Sequence, residues 1–554
     1  MKQLKLILGG VLGVIVVNVV SNTVYQRFDL TEDRRFTLSV AALESVSSFN
    51  TPVVIDILLG GKLPSEFSRL QEETILLLEQ FKSKNKNIIL NLVNPLEELA
   101  TRESTIISLQ QLGLRPANIT IEEDGKTTQE LVFPWAMVNK GDRTIKVSLL
   151  KNSLGATAEE RINNSVQNLE YAFADAFKKL QITDKKNIAV LKGNGELSDM
   201  YLADILTELS DYYNIGAITL DSVSSNAEAV LHQLSNFDLA LIAKPTEPFT
   251  EAEKYVMDQY IIQGGRSLWL MDQVAVELDS LFNKTGSNVA IQRDLNLNDL
   301  FFKYGVRINP VLVNDLYNTP IVLANGEANN SQYSPLPWVY HPMVFSKNDH
   351  PINTNIEALR LQFANAIDTL PNGIKKTILL RSSPLSKTER VPKKISFDKL
   401  STPLNRKDYM PHGGYPLAVL LEGEFLSVYR NRIKPVSLKK SLEKGFKNSM
   451  IIIADGDIIA NQLQQGRPLE LGYDKWTNNF YGNKEFLVNC VNYLLDEDGF
   501  INIRNKKVTI PLLDAEKIAQ NKTKWQFIVI GLPLVLVVCG GLFNVMFRKR
   551  KFIF

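Results

Sequence analysis

The chain has 554 residues, 45% hydrophobic and 22% charged, enough to bury sizeable cores and, by length, to hold about three domains. Its 62 Lys and Arg nearly cancel its 60 Asp and Glu, and no long basic run interleaved with aromatics occurs before the last few residues. Nucleic-acid binding is thus left without its electrostatic footprint. Two cysteines, Cys490 and Cys539, build neither a disulfide framework nor a Cys-based zinc site.

At the amino terminus, Leu6 to Val20 is apolar except for Asn18 and follows Lys2 and Lys5. With the polar shoulder to Tyr25 it reaches the ~20 residues of a helical span, so residues 1–25 are expected to form a membrane anchor. A cleaved signal peptide is the alternative, since Val19-Val20-Ser21 offers small or modest side chains to a peptidase. The chain then enters "YQRFDLTEDRRFTLS" (25–39). Asp29, Glu32, Asp33, Arg34 and Arg35 can pair locally or reach the membrane surface or a partner, as a stiff charged collar or equally as a solvated face. Thr37 or Ser39 is placed to cap a helix at "VAALESVSSF".

Residues 26–150 are expected to form an α/β domain. "TPVVIDILL" (51–59) is rich in strand formers, and "SEFSRLQEETILLLEQFKSKN" (65–85) spaces Phe67, Leu70, Ile75, Leu78 and Phe81 near a helical period. "NIILNLVNP" reads as a strand, "RESTIISLQQLGL" as a helix, and "ANITIEED" with "ELVFPWAMVNKGDRTIKVSLL" as an antiparallel ribbon. This β-α-β-α-β-β order is thioredoxin-like, with Pro116 just before the third strand. No Cys-x-x-Cys supplies the low-pKa thiolate that redox chemistry requires, so the scaffold is expected to be redox-dead.

Residues 151–500 open with the amphipathic helix "AEERINNSVQNLEYAFADAFKKLQ" (158–181) and then alternate strand and helix. The strands "KNIAVLKG", "YNIGAITL", "FDLALIAKP" and "RSLWLMD", with helices such as 198–213 and 250–263 between them, predict a parallel sheet covered on both faces. "KNSMIIIADGDII" (447–459) supplies another buried strand, and the insertion at about 280–440, richer in Pro, Asn and Lys, is expected to elaborate one edge.

After a juxtamembrane segment (501–525) comes "WQFIVIGLPLVLVVCGGLFNVMF" (525–547), expected to span the membrane over 526–547 and followed by a basic tail, 548–554. Gly531, Gly540 and Gly541 would let a neighbouring helix approach closely, and Pro533 would bend the span. Near-flank Lys and Arg tie at six on each side, and Lys2 and Lys5 form the ordinary export signal. Both termini are therefore placed in the cytoplasm, with about five hundred residues outside it.

In an open parallel sheet, ligands sit beyond the carboxyl ends of the strands. There the first strand is followed by Gly193-Asn194-Gly195-Glu196, whose glycines would admit an anion or simply make a tight turn. Asp455 and Asp457 in "ADGD" could bind a hard cation or cap the following helix. "LLGGKLPSE" fails as a phosphate loop, with Asp56 in place of the first glycine and Leu63 in place of the magnesium-holding hydroxyl. "GRSLW" (265–269) fails as a nucleophile elbow, because Trp269 replaces the closing glycine. His232, His341, His350 and His412 form no HExxH or i, i+4 pair, so turn or core roles are expected for them and no cofactor or metal is implied.

"RFDLTEDRRFTLS", "INNSVQNLEYAFADAFKKL", "VLKGNGEL", "WVYHPMVFSKNDHPINTNI", "AVLLEGEFLSVYRNR", "IIIADGDIIANQ" and "LELGYDKWTNNFYGNKEFLVNCVNYLLDEDGFINIRNKK" occur in that order along the chain. This series resembles the gliding-motility-associated ABC transporter auxiliary family over nearly its whole length. The resemblance implies an extracytoplasmic α/β domain similar to class I glutamine amidotransferases, standing beside an ABC permease and a cytoplasmic ATPase. One departure is Asn194, where the family turn is expected to favour histidine. An active amidotransferase would need a cysteine at the turn where this chain has Gln273-Val274-Ala275, so a non-enzymatic binding or coupling role is expected. Two alternatives stand: a subunit that delivers a solute or glycan, with Trp338 and Tyr340 as exposed stacking aromatics, and an amidase-like enzyme using Glu196 and Asp455.

Overall fold

The computed structural model describes residues 37–98, 100–123, 126–151, 154–325, 332–346, 348–401, 404–409, 413–505 and 515–551. The amino-terminal span, the collar residues Asp29, Glu32, Asp33, Arg34 and Arg35, and His412 lie outside them. The chain divides into two units, Met1–Lys507 and Val508–Phe554.

The first helix, α1 (Val40–Ser47), starts at Ser39, whose hydroxyl accepts from the Ala42 N–H at 3.3 Å, meeting one of the donors a helix start leaves free. There follow β1 (Val53–Ile57), α2 (Ser65–Lys84), β2 (Ile88–Leu92), α3 (Arg102–Gln111), β3 (Ala117–Glu123), β4 (Lys126–Val132), β5 (Trp135–Lys140), β6 (Arg143–Ser148) and α4 (Ala158–Gln181). One sheet has the order β2-β1-β5-β6, with β1 and β2 parallel and the other pairs antiparallel. Val53, Ile55 and Ile57 alternate into its core against Phe173 and Phe177 of α4, and the Phe177 ring meets Phe49 and Phe81 edge-on at 5.8 and 5.1 Å. A capping box between Thr157 and Glu160 fixes the start of α4.

The expected ribbon is corrected here. Ala117–Glu123 pairs with Lys126–Val132 as a separate hairpin, and the strand that joins the sheet is β5. Pro134, not Pro116, therefore precedes the third sheet strand. Both segments are β-rich and end in turn residues, so local pattern alone does not decide which hairpin the sheet takes up.

The second sheet uses β7 (Asn187–Lys192), β8 (Asn214–Thr219), β9 (Leu239–Ala243), β10 (Arg266–Leu270), β11 (Lys375–Arg381), β12 (Pro416–Leu426) and β13 (Lys444–Ile453) in the order β11-β12-β13-β10-β9-β7-β8. β8, β7, β9, β10 and β13 run parallel, and β12 and β11 extend the edge antiparallel. Every residue of β9 is buried, as expected of a parallel strand covered on both faces. Along β7, Ala189 and Leu191 face α6 (Val223–Leu234) and α7 (Glu251–Ile262), whereas Ile188 and Val190 face α5 (Asp199–Ser210) and α8 (Asn483–Leu495).

Between β10 and β12 the insertion, apart from β11, folds on a small core of its own, containing Val274, Leu312, Ile321, Trp338, Tyr340, Phe363 and Ile395. Trp338 and Tyr340 are 1% and 0% exposed, which overturns their expected role as stacking surfaces. Trp338 packs on Tyr340 and Phe397, and the Tyr340 hydroxyl donates to Glu389 at 2.9 Å. They lie on one face of the strand Gln332–Val344, and that face turns inward.

In the second unit, helix Ala515–Gln526 passes through a π turn, Phe527–Gly531, into helix Leu532–Lys551. Pro533 has no N–H for the carbonyl four residues before it, a cause of local widening. Asn521–Phe547 is long and apolar enough to cross a membrane. A Cβ at Gly540 or Gly541 would meet nothing within 4 Å, and one at Gly531 would touch only the Phe527 ring.

Candidate functional site

Taking the parallel strands in chain order as β7, β8, β9, β10 and β13, the spatial order is 2-1-3-4-5, and the chain reverses direction across the sheet between β7 and β9. The loops at the carboxyl ends of these strands form the crevice in which ligands of such sheets bind. They carry Gly193–Glu196 after β7, Lys244 after β9, Asp272 after β10, and Asp455 and Asp457 after β13.

The β7 turn is locked to the β9 loop. The Asn194 carbonyl accepts from the N–H groups of Thr246 and Glu247, both at 2.9 Å, and the Thr246 hydroxyl donates to the Gly195 carbonyl. Gly193 and Gly195 have φ of +114° and +73°, a region glycine enters without steric cost. A Cβ at Gly195 would come within 2.1 Å of the Thr246 hydroxyl oxygen, so the two loops pack through glycine. Glu196 accepts from the Asn194 N–H at 2.8 Å, and burial raises its pKa against that bond and its own N–H. Glu196 Oε1 and Asn194 Oδ1 are buried without a partner.

Lys244 is the centre of the second cluster. Its ammonium, on a side chain 5% exposed, lies 2.6 Å from Asp457, 2.6 Å from Glu277 and 3.8 Å from Asp272. Burial works to lower the Lys244 pKa, but Asp457, Asp272 and Glu277 outweigh it and hold the ammonium charged. Burial pushes Asp272 up to about 7 against the pull of Lys244, and Asp457 adds to the rise. Asp455 is raised well above the carboxylate range, by burial first and then by Asp272 and Asp457.

Backbone donors fix both acids. Asp272 accepts from Gly456 N at 2.7 Å, and Asp455 from Gln362, Asp457 and Ile458 at 2.6, 2.8 and 3.1 Å. Asp455 thus meets the free N–H groups at the start of the short 3₁₀ turn Asp457–Ile459, the capping alternative of the sequence reading for that residue, while Asp457 pairs with Lys244 instead. Gly456 leaves the room this needs, since a Cβ there would lie 2.4 Å from Lys244 Cγ.

Asp272, Asp455 and Asp457 bring ligand oxygens within 4.8 Å of one another, a hard-cation donor set. In this structure the Lys244 ammonium serves Asp457 and Asp272, and Asp455 is held by backbone N–H groups. The arrangement ties the ends of β9, β10 and β13 into one ion-paired knot. Glu196, hydrogen-bonded within its own turn, belongs to the other loop pair, so the two acids of the amidase-like alternative serve separate networks. Where an amidotransferase needs its thiol, Gln273 donates its N–H to Asn365 at 2.6 Å and its side-chain amide to the Arg293 carbonyl.

Cys490 is buried in α8, and burial pushes its thiol well up, which makes it a poor nucleophile. His350 Nδ1 accepts from Ile352 N in a turn, and His341 packs against Phe363 with its pKa driven down by burial and by Arg360. Sequence reasoning missed Lys244 and Asp272. Their signal was a single polar residue directly after a buried strand, in "LALIAK" and "SLWLMD".

These features define a doubly wound α/β protein whose crevice is closed by its own charges. Residues 185–490, more than half of the chain, match the ABC transporter auxiliary family described as "ABC-type uncharacterized transport system", and the chain belongs to that family. Membership implies association with components of an ABC transporter. Residues 32–139 match a "Domain of unknown function (DUF7088)". An "Uncharacterized protein" of Borreliella burgdorferi is 21% identical over 547 residues, covering 95% of this chain and 94% of that one. Among solved structures, "mmIFT52 N-terminal domain" aligns at 14% identity and a TM-score of 0.32, covering 56% of this chain and 98% of that one.

Proposed function

We propose that this protein is a non-enzymatic, membrane-anchored accessory subunit of an ABC-type complex, working beside a permease and a cytoplasmic ATPase in bacterial gliding motility and associated surface secretion. The observation that carries the reading is the charge-closed carboxyl end of the sheet within the family-matched region, where Lys244 fills the place a substrate or metal would take. The gliding assignment rests on the ordered motif series. The order β2-β1-β5-β6 supports a thioredoxin-like first domain (26–150), and the 2-1-3-4-5 order supports an amidotransferase-like second (151–500). The C-terminal span and the export-type amino terminus support a large periplasmic region on the inner membrane with both termini cytoplasmic.

Gly540 and Gly541 present open helix surface, so the span is itself a contact surface for the permease. Truncation after Lys524, or Gly540→Leu with Gly541→Leu, is expected to leave a folded, membrane-bound protein that no longer co-purifies with the permease or supports motility. Retention of both properties rules out coupling through the span.

A second reading, delivery of a solute, is favoured by the unpartnered buried acceptors Asn194 Oδ1 and Glu196 Oε1. A ligand-dependent rise in melting temperature that Glu196→Gln removes would establish it in place of the coupling role.

A further inference from the structure

At the other end of the second sheet, β12 and β13 run on beyond their neighbours. β13 pairs with β10 only from Met450 onward, so residues 444–449 pair with β12 alone and the hairpin runs past β10 over the end of α7, where the Asn448 amide donates to the Ile261 and Gly265 carbonyls. Between residues 430 and 447, seven Lys and Arg side chains stand against one carboxylate, Glu443. Arg432 reaches Asp299 at 2.6 Å, Lys444 reaches Glu424 at 2.6 Å, and Arg430 lies 3.8 Å from Glu443. Among the described residues no carboxylate lies within ion-pair distance of Lys434, Lys439 or Lys440. Two large apolar side chains stand among these cations: Ile433 is 94% exposed and Phe446 72%.

The exposure is not slack in the loop. Val436, Leu438 and Leu442 pack on the core beneath α6 and α7. The Gln259 side chain clamps Leu442 through both its N–H and its carbonyl, at 2.7 and 2.9 Å, and the Tyr429 hydroxyl donates to Glu251 at 2.8 Å. A loop that tucks in three apolar residues and displays Ile433 between Arg432 and Lys434 is divided by design of its sequence: one set anchors it, the other faces outward. Aliphatic and aromatic side chains ringed by cations suit the boundary between acyl chains and phosphate headgroups, and cations near an anionic leaflet add to the attraction.

We propose that residues 430–447 form a membrane-docking tip that seats Ile433 and Phe446 in the interface of an anionic bilayer, with Lys434, Lys439 and Lys440 against lipid phosphates. The proposal rests on the reading that the C-terminal helix spans the membrane. Resistance of the protein to carbonate extraction reads that span by itself, so a missing docking signal in an integrated protein counts against the tip alone.

The test uses the full chain in nanodiscs, with Cys539→Ser and an environment-sensitive fluorophore on Ile433→Cys. Discs of phosphatidylcholine are compared with discs containing phosphatidylglycerol. The expected result is a blue-shifted emission, quenched by lipid-borne nitroxide, in anionic discs and not in neutral ones. Each cation removed should lower the docked-to-free ratio roughly fivefold. Lys434→Gln, Lys439→Gln and Lys440→Gln together should therefore lower it on the order of a hundredfold. Equal emission in the two lipids, or a shift that survives the triple substitution, overturns the proposal. So does a shift that grows with protein concentration, which would assign the tip to contacts between copies or to an acidic protein surface.

Discussion

The two ends of the seven-stranded sheet use cations in opposite ways. At the carboxyl end Lys244 is buried and surrounded by Asp272, Asp457 and Glu277. At the amino end the ammonium groups of Lys434, Lys439 and Lys440 have no ion-pair partner among the described residues, and Glu228 meets Lys439 only at its backbone N–H. A buried ammonium is held by its partners and in turn keeps their charges tolerable, whereas an exposed one contributes little to folding and remains available to something outside. The same residue type is thus internal glue at one end and contact chemistry at the other.

The sharpest way to break this contrast is Lys244→Met, which keeps the side-chain volume and leaves Asp272 and Asp457 without their cation, while Glu277 keeps Arg293 at 3.5 Å. A loss of about 3–5 kcal/mol at neutral pH is expected, measured by urea unfolding and reduced near pH 5, where Asp272 is protonated. An unchanged midpoint at pH 7 would mean that the cluster is not the knot described.

Asp272→Asn tests the proton side. The folded pKa of Asp272 is raised to about 7, above its value in the unfolded chain. Its contribution to stability is therefore fully present below the unfolded pKa and lost as pH rises to about 7. The asparagine keeps an acceptor for Gly456 N and cannot ionise. The variant should gain on the wild type between pH 5 and 8, by on the order of 2 kcal/mol after the weaker hold on Lys244 is deducted. Parallel stability curves for the two proteins across that range would contradict the raised pKa.

The smallest effect belongs to the amino end. Lys439→Gln with Lys440→Gln should change unfolding free energy by no more than about 0.5 kcal/mol. A large loss would place these lysines in the folded core's charge balance and erase the contrast.

The sequence made the parallel strands of the second sheet legible because they are largely apolar runs, the first four evenly spaced from "NIAVLK" to "RSLWL" and the fifth, "SMIII", apolar enough to be read far downstream. Ser39 was legible as a cap by residue type and position. The order of strands across the sheet was not, and with it went the site. Lys244, Asp272 and Asp457 are separated by 27 and 184 intervening residues, and each alone resembles an ordinary surface charge. Trp338 and Tyr340 misled because a long polar-flanked strand does not announce which face its neighbours will cover. The hairpin at 117–132 misled for a related reason: two adjacent ribbons of similar composition compete for one sheet edge.

The placement of the last parallel strand also has a temporal side. β10 and β13 are hydrogen-bonded neighbours, Ser267 opposite Met450, yet about 180 residues separate Asp272 from Asp455. At roughly 5–20 residues per second of synthesis, the nascent chain waits about ten to forty seconds for its missing neighbour. Through that interval β10 is an open edge of the kind that invites pairing with another chain. Lys244, Asp272 and Glu277 are already in hand, so the unfinished edge carries a cation and two acids at its end. Charge at an open edge discourages the wrong strand, so the knot that later holds the finished sheet also guards it while it is being made.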